Sequence, residues 1–234
     1  MTTVLLAEET AGGPAHDVAL GPLLLRHGLG EARDILRVYS PEPTAAFSRR
    51  DTLRPGYPRA ADAVRRLGFA PVVRPQGGSL AAYHRGSVVV DHVHRDPQAS
   101  RDPVERFQRF AALHAELLVR LGAPARIGPV AGEYCPGEYS INAGGTKIVG
   151  SAQRVTRDGW LFSTVIQVTG SGGLREVLTA AYRELGYDFA PATVGALEDV
   201  VPGVTVPAVT AAVRAAYGST GPAVDLPAVL SRPD

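Results

Sequence analysis

Glu138-Tyr139-Ser140-Ile141-Asn142-Ala143-Gly144-Gly145-Thr146-Lys147-Ile148-Val149-Gly150-Ser151-Ala152-Gln153-Arg154 is the stretch on which the reading of this chain turns. A Gly-Gly pair between two runs of strand character predicts a hairpin, with strands near 138–142 and 146–149. The hairpin sets Lys147 at the start of an apolar strand, and Gly150-Ser151-Ala152-Gln153 follows at once. Two readings of the lysine are open. An inward ammonium among small residues needs an anionic partner, because an unpaired buried charge is costly, and a substrate anion would serve. A lysine on a solvated edge strand needs none.

Working outward, a second glycine pair lies in Val73-Arg74-Pro75-Gln76-Gly77-Gly78-Ser79-Leu80-Ala81-Ala82-Tyr83-His84. Glycines between two strands let backbone amides approach a ligand closely. An arginine just before them offers a forked pair of donors to a phosphate or carboxylate. The same glycines are also ordinary turn chemistry. Strands are predicted over 3–7, 34–40, 69–73, 80–84, 87–93 and 159–168. Helices are predicted over 14–28, 58–67, 103–121, 174–185 and 207–217. The helix over 103–121 has the clearest signals: Asp102 as N-cap, Pro103 in the first position, Glu105 to complete a capping box, and Gly122 to end it. Strand runs with separated helices give an α/β fold of the α+β type, a mixed β-sheet flanked by helices.

Composition removes several function classes. The 24 Lys and Arg residues against 23 Asp and Glu leave no basic footprint for nucleic acid or an anionic membrane. No window supplies the ~20 apolar residues of a membrane span, and the N-terminus lacks the pattern of a signal peptide, so a cytoplasmic location is expected. With 234 residues, 45% of them hydrophobic, one large domain with a sizeable core is expected. A single cysteine, Cys135, excludes an internal disulfide. It is either a small structural hydrophobe or the only thiol nucleophile in the chain. His92, His94 and Asp96 share one strand face with the geometry of a metal edge, but two imidazoles and a carboxylate at a strand end read as solvated. No metal site is assigned.

Together the two glycine segments resemble the biotin/lipoate A/B protein ligase family, most closely its lipoate–protein ligase A branch. That branch carries Arg-Arg-Pro-Ser-Gly-Gly-Gly-Ala-Val-Phe-His-Asp and Gly-Lys-Lys-Ile-Ala-Gly-Ser-Ala-Gln. Here the first appears as Arg74-Pro75-Gln76-Gly77-Gly78-Ser79 through Tyr83-His84, and the second as Lys147-Ile148-Val149-Gly150-Ser151-Ala152-Gln153. Pro43-Thr44-Ala45-Ala46-Phe47-Ser48-Arg49-Arg50 resembles an upstream family strand. The resemblance spans roughly residues 20–170. It implies a class II biotin/lipoyl synthetase-like catalytic domain over 1–222, a tail over 223–234, and no accessory C-terminal ligase domain.

The resemblance also implies chemistry. ATP and Mg²⁺ would activate lipoate, octanoate or a related medium-chain acid as an acyl-adenylate. The acyl group would then pass to a lysine of a lipoyl domain of a 2-oxoacid dehydrogenase, or of a glycine-cleavage H protein. A separate accessory subunit would assist, and neither nucleic acid nor membrane would take part. Lys147 would be the catalytic cation, and its replacement by alanine would abolish transfer while leaving the fold intact. Arg74, Gly77, Gly78, Ser79, His84, Asn142, Gly150, Ser151, Ala152 and Gln153 would bind nucleotide or acyl group.

Departures from the pattern keep other routes open. Ser79 replaces a third glycine, Arg85 stands where the ligases carry aspartate, and Phe162-Ser163-Thr164 replaces His-Gly-Thr. Octanoyltransferases of the same family use a cysteine upstream of the lysine, so Cys135 becomes catalytic if an acyl-carrier protein is the donor. An amide-forming enzyme for a small-molecule amine and a non-catalytic subunit that binds acyl groups or lipoyl domains complete the alternatives.

Overall fold

The computed structural model describes residues 12–28, 32, 34–96 and 102–219, together with the backbone of 3–6. Ala7, at the end of the first expected strand, and the expected tail over 223–234 lie outside the described residues.

A seven-stranded sheet forms the centre. Its strands are β1 (Thr3–Leu6), β2 (Asp34–Tyr39), β6 (Ser87–His94), β7 (Arg126–Ile127), β8 (Ile141–Ala143), β9 (Thr146–Thr156) and β10 (Gly159–Gln167), in the order β1-β2-β6-β10-β9-β8-β7. β1 and β2 run parallel and the other pairs are antiparallel, so the sheet is mixed. A smaller sheet sets β3 (Thr44–Phe47) between β4 (Ala70–Val73) and β5 (Ala81–Tyr83). The helices are α1 (Gly13–His27), α2 (Arg49–Thr52), α3 (Tyr57–Arg66), α4 (Pro103–Arg120), α5 (Ser171–Leu185) and α6 (Val206–Ala216).

Side-chain alternation divides the large sheet into two faces. On one, Leu36, Val38, Val88, Val90 and Ile166 pack under Leu117 and Leu118 of α4 and Val209 and Val213 of α6. Each such fully buried aliphatic side chain contributes about 1.5–3 kcal/mol. On the other, Ile35, Val93 and Leu161 pack against Leu20, Leu24 and Leu25 of α1. The small sheet has its own core, where Ala45, Phe47 and Ala82 meet Val64 of α3 and Leu174, Leu178 and Tyr182 of α5. A cavity lies where β10, β9 and β6 of the large sheet meet the second glycine segment of the small one.

Three expectations are corrected here. The strand expected over 138–142 shrinks to Ile141–Ala143, because Glu133 draws the preceding turn inward: its carboxylate accepts Gly137 N at 3.0 Å, Ser140 Oγ at 2.7 Å and Val130 N at 3.2 Å. Beyond Val149, β9 continues through Gly150-Ser151-Ala152-Gln153, paired to β10 from Val149↔Ile166 to Thr156↔Gly159. The segment that resembled one strand over 43–50 instead ends as β3 and turns into α2, capped reciprocally by Ser48 and Asp51. Asp102 caps α4 as expected, accepting Glu105 N at 2.8 Å.

Candidate active site

The cavity is about 460 Å³. Its floor is one face of β10, on which Leu161, Ser163, Val165 and Gln167 alternate. Four such positions span about 20 Å. Across the sheet, Val165 pairs with Val89 and Gly150, and Ser163 with Asp91 and Ala152. The opposite wall is Arg74, Gln76, Gly77 and Gly78.

Lys147 pairs with Asn142 of β8 on one side and bridges Val194 on the other, so it is not on an edge, and it is only 2% exposed. Its Nζ donates to the carbonyls of Tyr134 at 3.0 Å and Cys135 at 2.8 Å and lies 3.5 Å from Glu133 Oε1. The anionic partner that burial demands is therefore inside the chain. Burial pushes the Lys147 pKa down, against the opposing pull of Cys135 and Glu133. A Cβ on Gly150 would stand 3.2 Å from Lys147 Cε, which accounts for the small residue that follows the lysine.

Cys135 lines the same cavity. Its sulfur accepts from Ser79 N at 3.3 Å and from Arg74 Nη2 at 3.6 Å. Its own N–H donates to the Tyr182 hydroxyl at 2.7 Å, and that hydroxyl donates to Leu80 O at 2.9 Å. Among the described residues it is the only non-glycine with a positive φ, +41°. Backbone held in that region costs on the order of 1–3 kcal/mol, and residues that persist there concentrate at functional sites. Gly78 has a φ of +99°, and a Cβ there would stand 2.8 Å from both the cysteine sulfur and Arg74 Nη2. Glycine is thus the only residue that lets this turn close over the thiol.

The other expected residues divide. Arg74, Gly77, Gly78, Gly150, Ser151, Ala152 and Gln153 line the cavity, although Ser151 hydrogen-bonds Thr164 and Gln153 reaches Pro103 and Arg106 of α4. Ser79 contributes its N–H to the sulfur, while Arg50 donates to its hydroxyl at 2.6 Å. His84 and Asn142 do not line the cavity. His84 Nδ1 accepts Gly86 N at 2.7 Å and Nε2 faces Gly170 O at 3.3 Å, which ties the β5–β6 turn to the start of α5. Asn142 donates to Gly128 O at 3.0 Å beside β7. His92 and His94 share Asp34 Oδ1, at 3.0 and 2.7 Å, in an aromatic cluster with Phe110 and Trp160. Burial opposes ionisation of Asp34, but both imidazole hydrogen bonds outweigh it and hold its carboxyl well below the usual range. Among the described residues no group of three or more His, Cys, Asp or Glu side chains is arranged to hold a metal ion. Sequence reasoning missed Glu133, for which an acidic residue two before the cysteine was the only signal.

A buried lysine, a thiol under a glycine turn, and a cavity against a mixed sheet coincide with a match of residues 14–218 to the lipoyl protein ligase A/B catalytic domain. The chain belongs to that family. It is 30% identical over 177 residues to the octanoyl-[GcvH]:protein N-octanoyltransferase of Geobacillus kaustophilus, covering 76% of this chain and 62% of the relative. The enzyme of the same description from Anoxybacillus flavithermus is 28% identical over 148 residues, covering 63% of this chain and 53% of the relative. The chain thus matches less than two thirds of the length of these curated relatives. Among solved structures, a lipoate-protein ligase A bound with ATP superposes with a TM-score of 0.75 at 20% identity, covering 97% of this chain and 90% of that one. The bi-partite lipoate protein ligase of Thermoplasma acidophilum gives 0.69 at 18% identity, covering 97% and 88%. At such identities the structural matches establish the ligase A/B fold. Among the described residues, no helix is long and apolar enough to cross a membrane.

Proposed function

We propose that this ligase A/B domain is a cysteine-dependent acyltransferase that takes a medium-chain acyl group onto Cys135 and passes it to a protein lysine. The observation that carries this reading is the Cys135 sulfur in the cavity wall, receiving Ser79 N–H at 3.3 Å beside the buried Lys147. The curated relatives, named for moving octanoyl from GcvH to another protein, support it. The acceptor proposed is the lysine of a lipoyl domain, and the donor an acylated GcvH or acyl-carrier protein. We place the protein in the cytoplasm.

The chemistry balances without a further reactant. The Cys135 thiolate adds to the acyl carbonyl carbon, and the bond from that carbon to the donor breaks as the thioester forms. The proton given up by the thiol ends on the departing amine or thiol. The acceptor amine then adds to the thioester, the carbon–sulfur bond breaks, and the amine's proton returns to Cys135. Ser79 N–H is aimed at the side of the cavity where the reacting atoms meet. Lys147, with its pKa pushed down by burial, holds the Tyr134 and Cys135 carbonyls and so positions the backbone that carries the nucleophile.

ATP-dependent ligation is the competing route. The two cations expected to face a nucleotide are engaged within the chain: Lys147 on two carbonyls beside Glu133, and Arg74 on Ser79 O at 2.9 Å and the cysteine sulfur. That donor set does not fit a triphosphate, and the reaction proposed needs neither ATP nor Mg²⁺. The deciding experiment is the intact mass of a lipoyl domain incubated with the protein under two conditions: octanoyl-GcvH or octanoyl-carrier protein without nucleotide, and lipoate with ATP and Mg²⁺. Acylation without nucleotide, lost in Cys135→Ser, is the expected result. Acylation only with ATP, unchanged in Cys135→Ser, overturns it.

A further inference from the structure

Two rows of the cavity floor differ in kind. One is small and apolar: Val89, Val165 and Gly150, the last beside the Lys147 side chain. The adjacent row, about 7 Å along β10, is Asp91, Ser163 and Ala152, with Arg37 of β2 paired to Asp91. Charge buried in the wall of an acyl cavity is unexpected, since an alkyl chain gives it nothing to bind.

The hydrogen bonds in this wall run in one direction. Gln76 Nε2 donates to Ser163 Oγ at 2.8 Å, and Ser163 Oγ donates to Asp91 Oδ1 at 2.6 Å. The serine proton is committed to the carboxylate, so the serine oxygen must accept from Gln76, which fixes the orientation of the amide. Gln76 Oε1 is thereby left buried with no partner among the described residues. Arg37, fully buried, donates to the Asp17 carbonyl at 3.0 Å and to Asp17 Oδ1, and lies 3.6 Å from Asp91 Oδ2. Asp17 Oδ2 has no partner either. Asp17, Gln76, Asp91 and Ser163 all line the cavity, and the first two are 2% and 8% exposed. One guanidinium thus serves two carboxylates, and two acceptors have nothing to accept.

We infer that the acyl group held here carries a hydrogen-bond donor, a hydroxyl or an amine, that reaches the Asp17–Gln76–Asp91 wall. Unpartnered buried acceptors disfavour an alkyl chain and favour a chain that supplies the missing donor. The inference rests on reading the cavity as the acyl site, and it selects among acyl groups instead of between reaction routes.

The test compares hexanoate, octanoate, ω-hydroxyhexanoate and ω-aminohexanoate. Binding of the free acids is measured by calorimetry on the native protein and on Cys135→Ser. Thioester formation is followed by intact mass with the matching N-acetylcysteamine thioesters. The donor-bearing chains are expected to bind and react at least about tenfold better than hexanoate, the two chains separating hydroxyl from ammonium recognition. In Asp17→Asn combined with Gln76→Met the preference should move toward octanoate. Equal or tighter binding of octanoate by the native protein overturns the inference. Selective binding of a donor-bearing acid without any thioester on Cys135 sustains it and removes the cysteine route instead.

Discussion

Replacing Lys147 by methionine removes the cation paired with Glu133, in a place where the two side chains are 2% and 0% exposed. Breaking one member of a buried pair costs about 3–5 kcal/mol, because the remaining charge stays uncompensated. Here Glu133 keeps three other donors, Val130 N, Gly137 N and Ser140 Oγ, so the lower end applies, about 3 kcal/mol. At 2–4 °C per kcal/mol for a domain of this size, Tm should fall by about 6–12 °C. Glu133→Gln alone leaves the lysine its two carbonyls but turns an amide toward backbone donors, and should cost about 1–3 kcal/mol. In the double variant neither charge is stranded, so the sum of the single losses should exceed the double loss by about 1–3 kcal/mol. Urea denaturation of the four proteins, with m-values compared to confirm like transitions, measures this coupling. Losses that add to within about 0.5 kcal/mol would refute the pairing and leave the lysine held by the carbonyls alone.

Three further outcomes are expected. Gly78→Ala places a methyl 2.8 Å from the Cys135 sulfur at a φ of +99°, so it should lose stability by about 1–3 kcal/mol and thioester formation almost entirely, read by melting and intact mass. Tyr182→Phe removes the acceptor for Cys135 N and the donor to Leu80 O; a loss of about 1–2 kcal/mol with slower thioester formation is expected, and an unchanged acylation rate would mean the hydroxyl does not position the cysteine. Burial pushes the His114 imidazole from 6.5 down to about 4, so between those values the unfolded chain binds the proton more tightly and stability falls with falling pH. That group should account for about 3 kcal/mol of the loss between pH 7 and pH 4, and His114→Leu should flatten the denaturation profile across that window while leaving it steep below it, where Asp34 loses its ionised form.

Much of this protein was determined by sequence alone, because the signals concerned are local. Strand-forming runs bounded by prolines or turn glycines located β2, β6 and β10, Asp102 and Pro103 marked the start of α4, and the glycine pairs at 77–78 and 144–145 marked turns in which Gly78, Gly144 and Gly145 take a positive φ. The motif around Lys147 was sufficient for the family. What tertiary structure decided were relations between groups far apart in the chain. Whether Lys147 faced water or core depended on Asn142 and the distant Val194 flanking it on both sides. Its partner Glu133 lay in a turn with no periodicity to betray it. Cys135 meets Ser79 only because Tyr182, 47 residues further on, pins its N–H. The aspartates at 17 and 91 read as an ordinary helix residue and an ordinary strand residue until α1 folds across β6 and brings both to one buried arginine. Burial and electrostatic pairing depend on distances in space, which sequence spacing does not encode once the chain has turned back on itself.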